Sequence, residues 1–175
     1  AVQLSSCPGN MAEQGLEAAQ WALGSPLIDD TGTDCAGGGT CPVPYGCFDG
    51  VCGGSNRGLL RPDAGLDIVF FSDEDDQSPD TVDEYTDFCR GVLGAERQPG
   101  ARVFAIVGPP PTGCDDENDV AEAGTRYHAV AGQVGGGAFS ICVPSLDAAM
   151  QAIAVPPWQA PVVLHLGAPP DVSTL

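Results

Sequence analysis

Between residues 66 and 154, short unbroken apolar runs alternate with stretches in which apolar side chains recur every three or four positions. The first run, Ile68, Val69, Phe70 and Phe71, has no polar face and reads as a strand buried on both sides. It stops at four carboxylates, Asp73, Glu74, Asp75 and Asp76. Ser78 and Pro79 then supply an N-cap and a first helical residue, predicting a helix to about Val92 with Val82, Tyr85, Thr86, Phe88, Cys89 and Val92 inward. Val103 to Val107 is a second buried strand, and the three successive prolines of 108–117 predict an irregular loop. A helix is expected over roughly Val120 to Gln133, carrying Tyr127, Val130 and Val134 inward. Gly135, Gly136 and Gly137 let the chain turn tightly into a third strand, Phe139 to Cys142. Ser145 caps a last helix to about Ala154, whose inward face carries Leu146, Ala149, Met150 and Ile153.

The flanks follow other rules. Asn10, with Glu13 three residues on, forms a capping-box pattern that opens a helix from Met11 through about Leu23, with Leu16, Ala19, Gln20 and Leu23 on one side. Residues 27–56 are rich in Gly and Cys and offer little beyond Tyr45 and Phe48 to pack, so cross-links must hold them. This segment reads as a compact surface loop first and a recognition knob second. Pro156 and Pro157 break the last helix, and Val162 to Leu166 is strand-like before a linker tail. The domain reading is therefore residues 1–26 with 57–155 as one α/β body, 27–56 as an insertion, and 156–175 as a final strand and linker. Trp21 and Trp158 are expected to be packing residues.

Strand–helix alternation in units of roughly 30–35 residues means a parallel sheet with helices on its faces. Three core strands are visible, whereas sheets average about five or six, so the pattern describes part of a sheet.

Composition narrows the partners. Asp and Glu total 24 against 6 Lys plus Arg, all of them Arg, for a formal charge of -18. Nucleic acid and anionic membranes are thereby disfavoured, and a cation or a basic protein suits better. No apolar run reaches the roughly 20 residues of a membrane span, and residues 1–6 lack a signal-peptide pattern. Eight cysteines, an even number, point to disulfides and an extracellular, periplasmic or cell-surface setting. Cys35, Cys41, Cys47 and Cys52 lack the C-x2-C pairs of structural zinc sites, so disulfides are preferred to zinc there. Those four are expected to pair among themselves. Cys114 and Cys142 should lie at the same end of adjacent sheet elements and can bridge, which leaves Cys7 and Cys89 for each other or for cysteines elsewhere.

Four carboxylates at the end of a core strand repel one another unless a cation or hydrogen-bond donors offset them, and that end is where open α/β sheets bind ligands. The strings GNMAEQGLEAAQWAL, LLRPDAGLDIVFFSDEDDQS and RYHAVAGQVGGGAFSIC resemble the second half of a von Willebrand factor A-type domain, similar to versions in exported lipoproteins of high-GC bacteria. The resemblance runs from Gly9 to about Ala154, interrupted by the insertion. It implies a Rossmann-like three-layer sandwich around a mostly parallel sheet, and a metal-ion-dependent adhesion site built from three loops. By motif, Asp73 matches the family's Asp after its fourth strand, and Asn10 falls where the family places a Thr. Asp75 is a further candidate ligand, although Asp75 and Asp76 also read as solvent-facing charges or charges at the start of the Ser78 helix. The family's Asp-x-Ser-x-Ser and its strand have no counterpart here; Asp76-Gln77-Ser78-Pro79-Asp80 and Asp171-Val172-Ser173-Thr174-Leu175 are the nearest strings. A separate segment or chain would have to complete the sheet.

What the resemblance implies is a non-enzymatic adhesion or protein-interaction module that binds a partner carboxylate through Mg²⁺ or Ca²⁺. The alternative is a metal-independent structural domain of a cell-envelope assembly. A third reading, a phosphotransferase or hydrolase using Asp73 and Asp75, lacks the Lys such sites need. An EF-hand spacing of Asp73, Asp75, Gln77 and Glu84 has Ser78 where the turn requires Gly. No Gly-x-Ser-x-Gly elbow occurs. His128 and His165 stand without ligand-spaced neighbours and read as surface or packed residues.

Overall fold

The computed structural model describes residues 13–61, 64–94, 100–115 and 120–154. In chain order the elements are α1 (Gly15–Leu23), β1 (Asp30–Asp34), β2 (Gly46–Phe48), β3 (Val51–Gly53), β4 (Leu66–Phe71), α2 (Val82–Gly91), β5 (Ala101–Val107), β6 (Cys114–Asp115), β7 (Val120–Ala121), α3 (Thr125–Val134), β8 (Gly136–Ser140) and α4 (Asp147–Ala154). A parallel sheet in the order β4-β5-β8 forms the body, with Leu66 opposite Ala101 and Val103 opposite Gly136 at the start of each pairing. The strand–helix alternation read from the sequence thus yields a mixed α/β fold with a three-stranded parallel sheet.

One face of this sheet carries the core. Ile68 and Phe70 of β4 join Val103, Ala105 and Val107 of β5 against Leu16, Tyr85, Cys89, Tyr127 and Val130 from the helices. Phe70 and Tyr127 meet ring to ring at 5.0 Å. Tyr85, Thr86 and Cys89 are the buried residues of α2, in keeping with the inward face expected for that helix. On the other face Phe104 and Ile106 of β5 are buried. There the Arg102 guanidinium lies 4.8 Å from the Phe104 ring centre and donates to the Ile153 carbonyl of α4 at 3.0 Å.

Several expectations are corrected. β4 is not buried on both faces: it alternates, with Ile68 and Phe70 inside but Val69 43 % and Phe71 61 % exposed. It lies at the edge of the described sheet, where among the described residues β5 is its sole partner. Apolarity on both faces misled because it cannot distinguish a covered face from one left open. The second helix starts at Val82, capped by Thr81 in a capping box with Glu84, because Ser78 is engaged elsewhere. Val120 and Ala121 pair with Cys114 and Asp115 as β7 and β6, within and beyond the stretch expected to be irregular, so α3 begins only at Thr125. The third strand lies earlier than expected, at Gly136–Ser140. Gly136, at φ +144°, has no room for a Cβ, which would collide with the Val103 carbonyl of the paired strand. Ser145 does accept from the Asp147 amide at 3.1 Å, but Met150 of α4 is exposed and Ala149 is its buried contact.

The insertion folds as an antiparallel sheet, β1-β3-β2, closed by Cys35–Cys47 and Cys41–Cys52. Arg57 ties it together through Asp30 and the Phe48 carbonyl, both at 2.8 Å, while the Asn56 side chain donates to the Ala22 carbonyl of α1 at 2.8 Å. A third disulfide, Cys114–Cys142, joins β6 to the segment after β8. Cys89 is a buried free thiol, its pKa pushed up to about 11 by burial. Cys7, Asn10, Trp158, His165 and the Val162–Leu166 run lie outside the described residues.

Candidate functional site

The carboxyl end of β4 is where chemistry was expected, and there the acid run separates into three uses. Ser72 is buried, its hydroxyl touching the Glu13 carboxylate, accepting from the Glu74 amide at 3.1 Å and donating to the Glu74 carbonyl at 2.8 Å. Asp73 follows with an exposed side chain, while its backbone carbonyl accepts from the Glu122 amide at 2.7 Å and so anchors the loop after β7. With Phe71, Ser72, Val120, Ala121 and Ile141, Asp73 lines a cavity of about 350 Å³. A second cavity, of about 310 Å³, opens on the α1 side of Phe71 and is bounded by Glu13, Gly15, Phe70 and Tyr127.

Asp76 is buried and Asp75 half-buried, and both accept from amides at helix starts, which corrects their reading as solvent-facing or Ser78-helix charges. Asp75 Oδ1 accepts from the amides of Asp76 and Arg126, both at 2.9 Å, and so caps the first turn of α3. Asp76 is buried and receives four donors: the Leu16 amide at 3.0 Å, the Ser78 hydroxyl at 2.7 Å, the Ser78 amide at 3.1 Å and Arg126 Nε at 3.0 Å. The Arg126 guanidinium also donates to the carbonyls of Ser78 at 3.1 Å and Asp80 at 2.6 Å.

The start of α1 is therefore held from a distance. The side chain of its Gln14 cap donates to the Gln77 carbonyl and accepts from none of the helix amides, so the free amides of the first turn need other acceptors. Gly15, Leu16 and Glu17 donate in turn to the Tyr127 hydroxyl at 3.2 Å, Asp76 at 3.0 Å and the Ser78 hydroxyl at 3.0 Å. Gly15 is the only size that fits there, since a Cβ would stand 2.5 Å from the Tyr127 oxygen. Burial, reinforced by the Asp76 charge, pushes the Tyr127 hydroxyl up to about 12. Like charges at this end are thus offset by backbone and arginine donors.

For a hard divalent cation the donor set falls short. Such an ion takes about six oxygens, yet among the described residues no three carboxylate or imidazole groups converge. Asp73 has a free carboxylate, Asp75 and Asp76 are engaged, and Asn10 is outside the described residues. Glu84, the last position of the EF-hand spacing, is taken by Thr81, whose backbone amide holds its carboxyl below the usual range. Arg126, whose backbone amide donates to Asp75, has its guanidinium bound by Asp76 and two carbonyls. The grouping of ligand-type atoms that does occur is sulfur: Cys35, Cys41 and Cys52, all three tied up in disulfides. His128 is exposed on α3.

Sequence reasoning missed Arg126 and Tyr127 as partners of the acid run. A signal for Arg126 existed, because with 6 cations against 24 acids an arginine at a helix start is a scarce counter-charge for any carboxylate that must be buried. Compared with known proteins, the chain matches no family model, no curated protein and no solved structure.

Proposed function

We propose that this chain is a protein-interaction module of the von Willebrand factor A-like kind, working in an oxidising extracellular or cell-surface setting. In this reading a three-layer, Rossmann-like sandwich takes up a further strand from a partner along the side of β4 that no described strand covers. The observation that carries this reading is the state of that strand: six residues long, with Val69 and Phe71 exposed. Edge strands are normally protected by charge, proline, a bulge or a cover. The one charge on β4, Asp67, is instead paired inward along the sheet with Arg102 at 2.6 Å. Covering the exposed parts of Val69 and Phe71 would contribute on the order of 2–3 kcal/mol, in addition to main-chain pairing of the kind used in strand addition.

The metal-independent form of the reading is preferred to the cation-bridged form, because Asp75 and Asp76 already have donors and Asp73 stands alone at the rim. The setting rests on three disulfides and on cysteine use as a whole. No described helix is long and apolar enough to cross a membrane.

A photo-crosslinking residue placed at position 71, in the protein made by its source cells, tests the proposal against the same residue at position 33 on the exposed insertion strand. Cross-links from position 71 to another polypeptide, well above those from position 33, are expected. Cross-links to this same chain, or a yield no higher than the control, overturn it.

A further inference from the structure

A second surface stands apart from β4 and does not depend on it. Trp21, expected to pack, is 67 % exposed on α1. The helix turns Leu16 and Leu23 into the core, and Trp21 projects from its outer side. The indole forms a ridge between two clefts. One, of about 290 Å³, is bounded by Gln14, Glu17 and Ala18; the other, of about 360 Å³, by Gly24, Pro26, Leu27 and Phe88 among others. Glu17, one helical turn before Trp21, lies on the same side of α1 and places a carboxylate beside the ring.

We infer that this ridge binds a cationic segment of a partner protein, an arginine or lysine stacked on Trp21 and paired with Glu17, with a neighbouring apolar side chain seated in the Pro26–Leu27–Phe88 cleft. Trp is the strongest cation–π acceptor among side chains, and an adjacent carboxylate adds to the attraction. A net charge of -18 draws a basic segment in and repels nucleic acid and anionic lipid, which bear the same sign. The apolar cleft explains why the ligand is a peptide rather than a bare cation: Phe88 and Leu27 offer nothing to a simple ammonium ion.

The test is fluorescence anisotropy with a labelled twelve-residue peptide of alternating Arg and Leu, on the full chain at physiological salt, with a Glu-for-Arg peptide as control. Trp21→Ala should weaken binding by about tenfold, Glu17→Gln by a smaller factor, and Asp34→Asn, on the remote insertion, very little. Because Trp21 is exposed, circular dichroism of Trp21→Ala should match the wild type, and Trp21→Phe should recover part of the affinity. Equal affinity of Trp21→Ala and wild type, or an equal loss from Asp34→Asn, would show attraction by net charge alone and overturn the inference. Phe71→Lys leaves this binding unchanged if the ridge acts alone, so its failure is separable from that of the β4 edge.

Discussion

Replacing Asp76 by Ala should be the most damaging single change at the carboxyl end of the sheet. Its side chain is fully buried, and it holds Leu16 of α1, Ser78 before α2 and Arg126 of α3 at once. Two losses dominate. The Leu16 amide loses a charged acceptor, about 1.5–3 kcal/mol. Arg126 loses its counter-charge; breaking a buried ion pair costs about 3–5 kcal/mol, and the low end applies because Arg126 is 27 % exposed and keeps two carbonyl acceptors. The two overlap, so we expect about 4 kcal/mol in total, a large share of the roughly 5–15 kcal/mol that stabilises a domain. With a urea slope of about 2 kcal/mol per molar, the midpoint should fall by about 2 M. Asp76→Asn, which keeps an acceptor but not the charge, should lose about half as much. Arg126→Met should couple to Asp76→Ala by more than about 1 kcal/mol in a double-mutant cycle. The assay is urea unfolding followed by circular dichroism. A cost for Asp76→Ala below about 1 kcal/mol, or additive single losses, would refute the claim that this carboxylate clamps α1, α3 and the segment before α2.

Three further outcomes follow from the same geometry. Calorimetric titration with Mg²⁺ or Ca²⁺ should give the same heat for wild type and Asp73→Ala; a saturable signal lost only in the variant would restore the cation-bridged reading. Removing Cys114–Cys142 by a double Ser substitution, which opens a loop with a sequence separation of 28, should cost about 3–4 kcal/mol in denaturant unfolding; no change would mean that β6 and β8 need no tie. Tyr127 should ionise near 12 by ultraviolet titration, above an ordinary Tyr. Its folded pKa exceeds the unfolded value near 10, so the unfolded chain releases this proton first and stability should fall as pH rises from about 10 to 12; a Tyr127→Phe variant that keeps the same slope would argue against this.

Local rules sufficed for what is local. The positions of the β4 and β5 runs, the inward face of α2, the closure of the insertion by cysteines and the gathering of acids after β4 could all be read from periodicity and spacing, while the start of α2 could not. The start of α1 could not, because its acceptors, Asp76, Ser78 and Tyr127, come from 60, 61 and 112 positions away, and only folding brings them near. Asp76 and Asp73 are alike in sequence, yet one is buried under arginine and the other faces a cavity; the difference lies in which helices cover the strand end. Exposure at Trp21, Val69 and Phe71 was equally hidden, since hydrophobicity states what a side chain gains from cover and tertiary structure alone decides whether cover is there.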